Sequence, residues 1–185
     1  MPLSNQRPSP YRLSVRSLIW SIVELKIEFL TWTKRVLAFA VAVIAISGSA
    51  TAANIKADPL EVAIQLRELG YPAELSSDTG GDPKLDSTAA DVVFSIFFYG
   101  CIEKKNCDSI QFYAGFDKKD GIDLAKINNW NVSKRYGVAY VDDENDPRIE
   151  YDVNLDGEGV SVENFKDTIE LWVALLAAFK THIDW

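Results

Sequence analysis

Phe165, Ile169, Trp172, Val173, Leu176, Phe179 and Ile183 recur at the spacing of one helix face. With Ser161 in the N-cap position, they predict a helix over 162–183, about 33 Å long at 1.5 Å per residue. A helix with so long an apolar stripe is stable in water only when the stripe is covered. A helix of that length is long enough to lie across a whole sheet. The need for a cover governs how the rest of the chain is read.

The strands are present upstream. Ala90–Tyr99 has Val92, Phe94, Ile96 and Phe98 on one face and Val93, Phe97 and Tyr99 on the other. Apolar residues on both faces predict a central strand covered, at least in part, on both sides. Ser109–Phe116 is its expected partner. Ala73–Ser76 and Lys84–Thr88 are shorter candidates, separated by the turn-forming run Asp78–Pro83. Tyr136–Asp142 and Arg148–Leu155 read as a hairpin. Its second arm alternates strictly, with Ile149, Tyr151, Val153 and Leu155 inward and Glu150, Asp152 and Asn154 outward.

Two shorter helices complete the pattern. Asp58-Pro59 is an N-cap followed by a proline at the first helical position, and Gly70 can close the helix, which predicts a helix over 59–69. Asp120–Trp130 supplies Ile122, Leu124, Ala125, Ile127 and Trp130, with Asn128-Asn129 suited to termination. The class is α+β: an antiparallel sheet of about five to six strands under a long C-terminal helix.

Charge divides the chain. Residues 1–52 carry six basic and two acidic side chains; residues 53–185 carry thirteen basic and twenty-five acidic ones. A body with a net charge of −12 is a poor ligand for nucleic acid, whose phosphates need clustered Lys and Arg. Within the basic part, Lys34-Arg35 precedes the eleven-residue apolar run Val36–Ile46, then Ser47-Gly48-Ser49 and Ala50-Thr51-Ala52. The run is short of the roughly 20 residues that span a bilayer. This is the order of a secretory signal, with cleavage expected after Ala52 and an uncleaved anchor as the alternative. Residues 1–30 fit the signal badly: either translation begins near Leu30 or Val36 at a non-AUG codon, or Leu18–Trp32 is an amphipathic extension lying on a membrane surface. The expected organisation is an N-terminal extension and signal over 1–52 and a single domain over 53–185. The location is the periplasm or the exterior, with no stable membrane span after cleavage.

Several segments of the body resemble the YbjN domain family of bacterial sensory transduction regulators. They are the aromatic strand Val93–Cys101, Cys107–Phe116, Ile127-Asn128-Asn129-Trp130-Asn131, Arg135–Tyr140, Asp146-Pro147 and Asp152–Leu155, followed by Trp172 and Phe179. The resemblance implies a type III secretion chaperone-like fold in the order α-β-β-β-α-β-β-α. It implies no catalytic residues, and a role in regulation or as a protein-binding adaptor. One departure is Asn145 in a turn where the family commonly has Gly; Asn tolerates the same left-handed geometry.

Candidate chemistry is sparse. Cys101 and Cys107 sit at facing ends of two strands and, in an exported chain, are expected to form a disulfide. The spacing is not that of a redox pair, and two thiols with a distant His182 do not make a zinc site. Asp142–Asp146 is oxygen-rich but lacks the glycine of a calcium loop and reads as a solvated turn. Asn128, Asn129, Trp130 and Asn131 are the candidate binding surface. The competing reading is a core indole with amides capping local backbone. Asn131-Val132-Ser133 is a glycosylation triplet read as coincidental. No catalytic residue, metal site or cofactor is expected. The expected function is a non-enzymatic exported binding or adaptor module, regulatory or chaperone-like. Its expected partner is a neutral or basic protein, and a homodimer is a further option. The alternative is an envelope hydrolase built on an acidic pocket.

Overall fold

The computed structural model describes residues 54–185. The signal segment, its cleavage after Ala52 and the amphipathic stretch lie outside the described residues.

The chain enters as a two-residue strand, β1 (Asn54–Ile55). Asp58 then caps α1 (Pro59–Glu68), its carboxylate accepting from the amides of Leu60 and Glu61 at 2.9 and 3.1 Å. Gly70, at φ +87°, turns the chain out of the helix, and the Tyr71 amide donates back to Leu66. Four strands follow: β2 (Glu74–Ser77), β3 (Pro83–Ala89), β4 (Val92–Tyr99) and β5 (Ser109–Gly115). Then come α2 (Leu124–Ser133), β6 (Val138–Val141), β7 (Pro147–Asn154), β8 (Val160–Ser161) and α3 (Val162–His182). The four strands between α1 and α2 are those the residue pattern indicates, one more than the order implied by the family resemblance.

The main sheet has six antiparallel strands in the order β2-β3-β4-β5-β7-β6. Its covered face carries Leu85, Phe94, Ile96, Phe98, Ile110, Phe112 and Ile149, all buried. Trp172 of α3 packs edge-on to Phe94 and tilted on Phe112, with ring centroids 6.0 and 5.5 Å apart. Phe179, two turns on, meets both Phe116 and Trp130. The stripe that demanded a sheet therefore packs on its middle strands, β4 and β5. A separate pair, β1 with β8, ties the entering chain to the start of α3. Gly159 permits that approach, since a Cβ there would lie 2.1 Å from the Ile55 carbonyl oxygen.

Two expectations are corrected. The strand Ala90–Tyr99 is covered on one face only: Val93 is 69% exposed and Tyr99 45% exposed. All three described helices serve the other face, and the period-two pattern does not report which faces find a cover. The second helix runs from Leu124 to Ser133, so Asn128 and Asn129 lie inside it and terminate nothing. Asp123, whose side chain accepts from the Ala125 amide, is the cap that sets its start.

Candidate functional site

The uncovered face of the sheet is the candidate site. Strand register sets its composition. Ser95 lies opposite Tyr113, and Tyr113 opposite Glu150; Phe97 lies opposite Gln111, and Gln111 opposite Asp152. Val138 and Tyr140 extend these rows on β6, opposite Glu150 and Arg148. Side chains one row apart on neighbouring strands touch, and here they link into a network. The Tyr99 hydroxyl donates to Gln111 Oε1 at 3.2 Å. Gln111 Nε2 donates to Asp152 at 2.9 Å and to Glu150 at 3.3 Å. The Tyr140 hydroxyl also donates to Glu150. Phe97 and Tyr113 meet edge to face, with centroids 5.8 Å apart.

The two cations on this face are engaged elsewhere. Lys84 lies over the Phe97 ring and pairs with Asp86 at 3.0 Å. Arg148 lies flat across Gly115, which has no side chain to lift it, and pairs with Asp142 and Asp146. Burial, then the charges of Glu150, Asp152 and Asp78, push the Tyr99 hydroxyl above its usual range. Tyr140 is pushed well up by burial and by its bond to Glu150. The face is thus a rigid, aromatic surface under negative potential.

Two carboxyls at its margins are held strongly as anions. Asp142 accepts from the Asp146 amide, is opposed by its own desolvation, and is drawn down further by Arg148 and the Glu144 amide. At Asp86 burial works upward, but hydrogen bonds from Ser95, Lys84 and Ser76 and the Lys84 charge outweigh it. Both are more acidic folded than unfolded, so their stabilisation is complete above the ordinary Asp pKa of about 4 and is lost as pH falls through their lower folded values. The urea midpoint should therefore hold down to about pH 4 and drop below it, less steeply in Asp142→Asn. A drop that is identical in the variant would contradict this.

The candidate surface named from the sequence is not one surface. Trp130 is wholly buried and its indole Nε1 donates to the Gly137 carbonyl at 2.8 Å. Asn131 spends its amide on β6, donating to Ala139 O and accepting from Ala139 N, both at 2.9 Å. It caps the outer edge of that strand and leaves the glycosylation triplet without a free amide. Asn128 and Asn129 are exposed on the helix, as is Asn131, whose amide is already engaged by Ala139. The indole went inside because α2 has few apolar residues and Phe179 offers Trp130 a ring at 4.9 Å. His182 is structural as placed, its Nε2 lying 2.8 Å from Lys126 O and its ring against Trp130. The Asp142–Asp146 loop folds on itself, with Asn145 at φ +66° in the geometry expected of it. Among the described residues no group of three or more His, Cys, Asp or Glu is placed to hold a metal.

The sulfurs of Cys101 and Cys107 lie at bonding distance, 2.09 Å. The Cys107 amide also donates to Ala57 O at 3.3 Å, so the closed loop holds the segment before α1. A loop this short gains about 2 kcal/mol from closure. Reduction should speed amide exchange in Ile102–Asn106 and at Cys107 while leaving the sheet protected. Complete alkylation of two thiols in the folded, unreduced protein from its host would rule out the bond.

A family model, YbjN, described as "Putative bacterial sensory transduction regulator", matches residues 58–185. The chain belongs to the YbjN family. The match spans α1 through α3 and hence the whole uncovered face of this YbjN domain. No curated protein and no solved structure shows significant similarity to the chain.

The residues of β4, taken alone, do not disclose the uncovered face, because apolar side chains stand on both of its sides. The outward residues of β7, Glu150, Asp152 and Asn154, were legible as wet. Strands in one sheet share their faces, so pairing β4 with β7 through β5 would have shown Val93, Phe97 and Tyr99 to be on the wet side.

Proposed function

We propose that this YbjN domain is an exported, non-enzymatic adaptor that acts in regulation by holding a partner protein on the uncovered face of its sheet. The observation that carries the reading is that face itself: Val93, Phe97 and Tyr99 on β4, Tyr113 on β5 and Tyr140 on β6 stand on one hydrogen-bonded sheet with no described element over them. Aromatic side chains on a rigid backbone supply contact area at little ordering cost, and contiguous exposed apolar surface on a globular domain marks interaction sites. The hydrolase alternative needs one carboxyl kept protonated near neutrality. The displaced carboxyls, Asp86, Asp142 and Asp184, all move the other way and lie apart.

The test is capture of partners from envelope extract by the tagged chain expressed in its host. Val93→Ser/Tyr99→Ser changes two exposed side chains on the face, and Leu124→Ser changes one on α2, 61% exposed, as control. A partner held by the parent and the control but lost from the face variant supports the reading. Equal capture by all three, or turnover of an envelope glycan by the purified chain, overturns it.

A further inference from the structure

We infer that the partner presents an arginine-bearing segment whose guanidinium sits over Glu150 and Asp152. The inference rests on the adaptor reading and names the chemistry of its partner. Glu150 and Asp152 are two residues apart on β7 and point to the same face, so their carboxylates stand roughly 7 Å apart. Every side-chain hydrogen bond they accept comes from a neutral donor, Gln111 or Tyr140. Among the described residues neither is paired with Lys or Arg; the nearby cations, Lys84 and Arg148, are committed to Asp86, Asp142 and Asp146. Two negative charges are therefore fixed in place, oriented and uncompensated.

The surroundings select the counter-charge. Tyr113 on β5 and Val138 on β6 lie directly beside Glu150, Tyr140 bonds it, and Phe97 and Tyr99 stand one strand further, beyond Gln111 and Ser109. A guanidinium can bond a carboxylate through two N–H groups and stack its plane on an aromatic ring at the same time; an ammonium does the first through a point contact and hydrates more strongly. The described clefts are lined by other residues, Lys56, Asp58 and Asp108 in one and Pro72, Ser87 and Val93 in the other. The carboxylate pair thus lies on an open face with apolar neighbours. That shape suits a protein segment laid across the strands, which supplies apolar contact beside each cation. Polyanions are repelled by the same charges.

The experiment titrates the full chain, in low salt, with three twelve-residue peptides that alternate Gln with Arg, Lys or Ser. The expected order is Arg tightest, Lys weaker and Ser without measurable binding. Glu150→Gln/Asp152→Asn should weaken the Arg peptide by about tenfold or more. Asp167→Asn/Glu170→Gln, which removes the same net charge from exposed positions on α3, should leave it within about twofold. Unchanged circular dichroism and urea midpoints establish that each variant is folded. Equal losses in the two double variants would show bulk attraction and overturn the site. Absence of Arg-peptide binding overturns the inference as well. Equal binding of the Ser peptide, lost from Val93→Ser/Tyr99→Ser, would overturn the charge assignment while leaving the adaptor reading standing.

Discussion

Trp172→Ala is expected to cost about 3–5 kcal/mol, the usual range for deleting a buried indole, a large fraction of the roughly 5–15 kcal/mol by which such domains are stable. Trp172 is fully buried between Phe94 and Phe112, where α3 crosses the middle of the sheet. Phenylalanine separates the ring's volume from its N–H. Trp172 Nε1 is buried without a hydrogen-bond partner among the described residues, so Trp172→Phe removes an unpaired donor along with some volume. Trp130→Phe removes a donor that is used and leaves Gly137 O buried and unpaired, at about 1–3 kcal/mol beyond the lost packing. Urea unfolding should therefore rank Trp172→Ala as most damaging and Trp130→Phe as clearly worse than Trp172→Phe. Equal midpoints for the two phenylalanine variants would mean that the bond to Gly137 contributes nothing.

Asn131→Ala should cost about 1–2 kcal/mol and, unlike the tryptophan changes, should also alter association. The Asn131 amide occupies both outward backbone groups of Ala139, in the way a neighbouring strand would. Without it β6 becomes an unguarded edge, with Val138 64% exposed beside it. Unguarded edges pair with other strands. Light scattering across a concentration series should show the parent monodisperse and Asn131→Ala self-associating. Asn131→Asp keeps an acceptor for Ala139 N but loses the donor to Ala139 O, and should fall no closer to the parent than half-way in stability. A variant as stable and as monodisperse as the parent would show that the helix alone guards the edge.

Edge protection by Asn131 also bears on the proposed adaptor role. Addition of a partner strand at β6 would have to displace that amide, whereas the uncovered face needs no displacement. The far edge, β2, is four residues long and exposed throughout, too short for strand addition to supply much contact. The face of the sheet is the broader platform.

Elements whose signals are local are legible from the residues alone. Asp58, Pro59 and Gly70 bound α1 because capping and left-handed closure act within one turn of the chain. The alternation in β7 and the stripe in α3 follow from the two backbone periods, 2 and 3.6. Asn145 could be assigned its left-handed turn because a short amide tolerates that geometry wherever it occurs. Tertiary structure decided what those elements were for. Periodicity gives a strand two faces without saying which is covered, so the exposure of Val93 and Tyr99 depended on where the three described helices docked. Trp130 and Asn131 are neighbours in sequence, yet one fills the core under Phe179 and the other seals β6. Each had a plausible local use, and partners up to forty-nine residues away chose between them, because burial of an indole and closure of a sheet edge are contacts made only once the chain has come together.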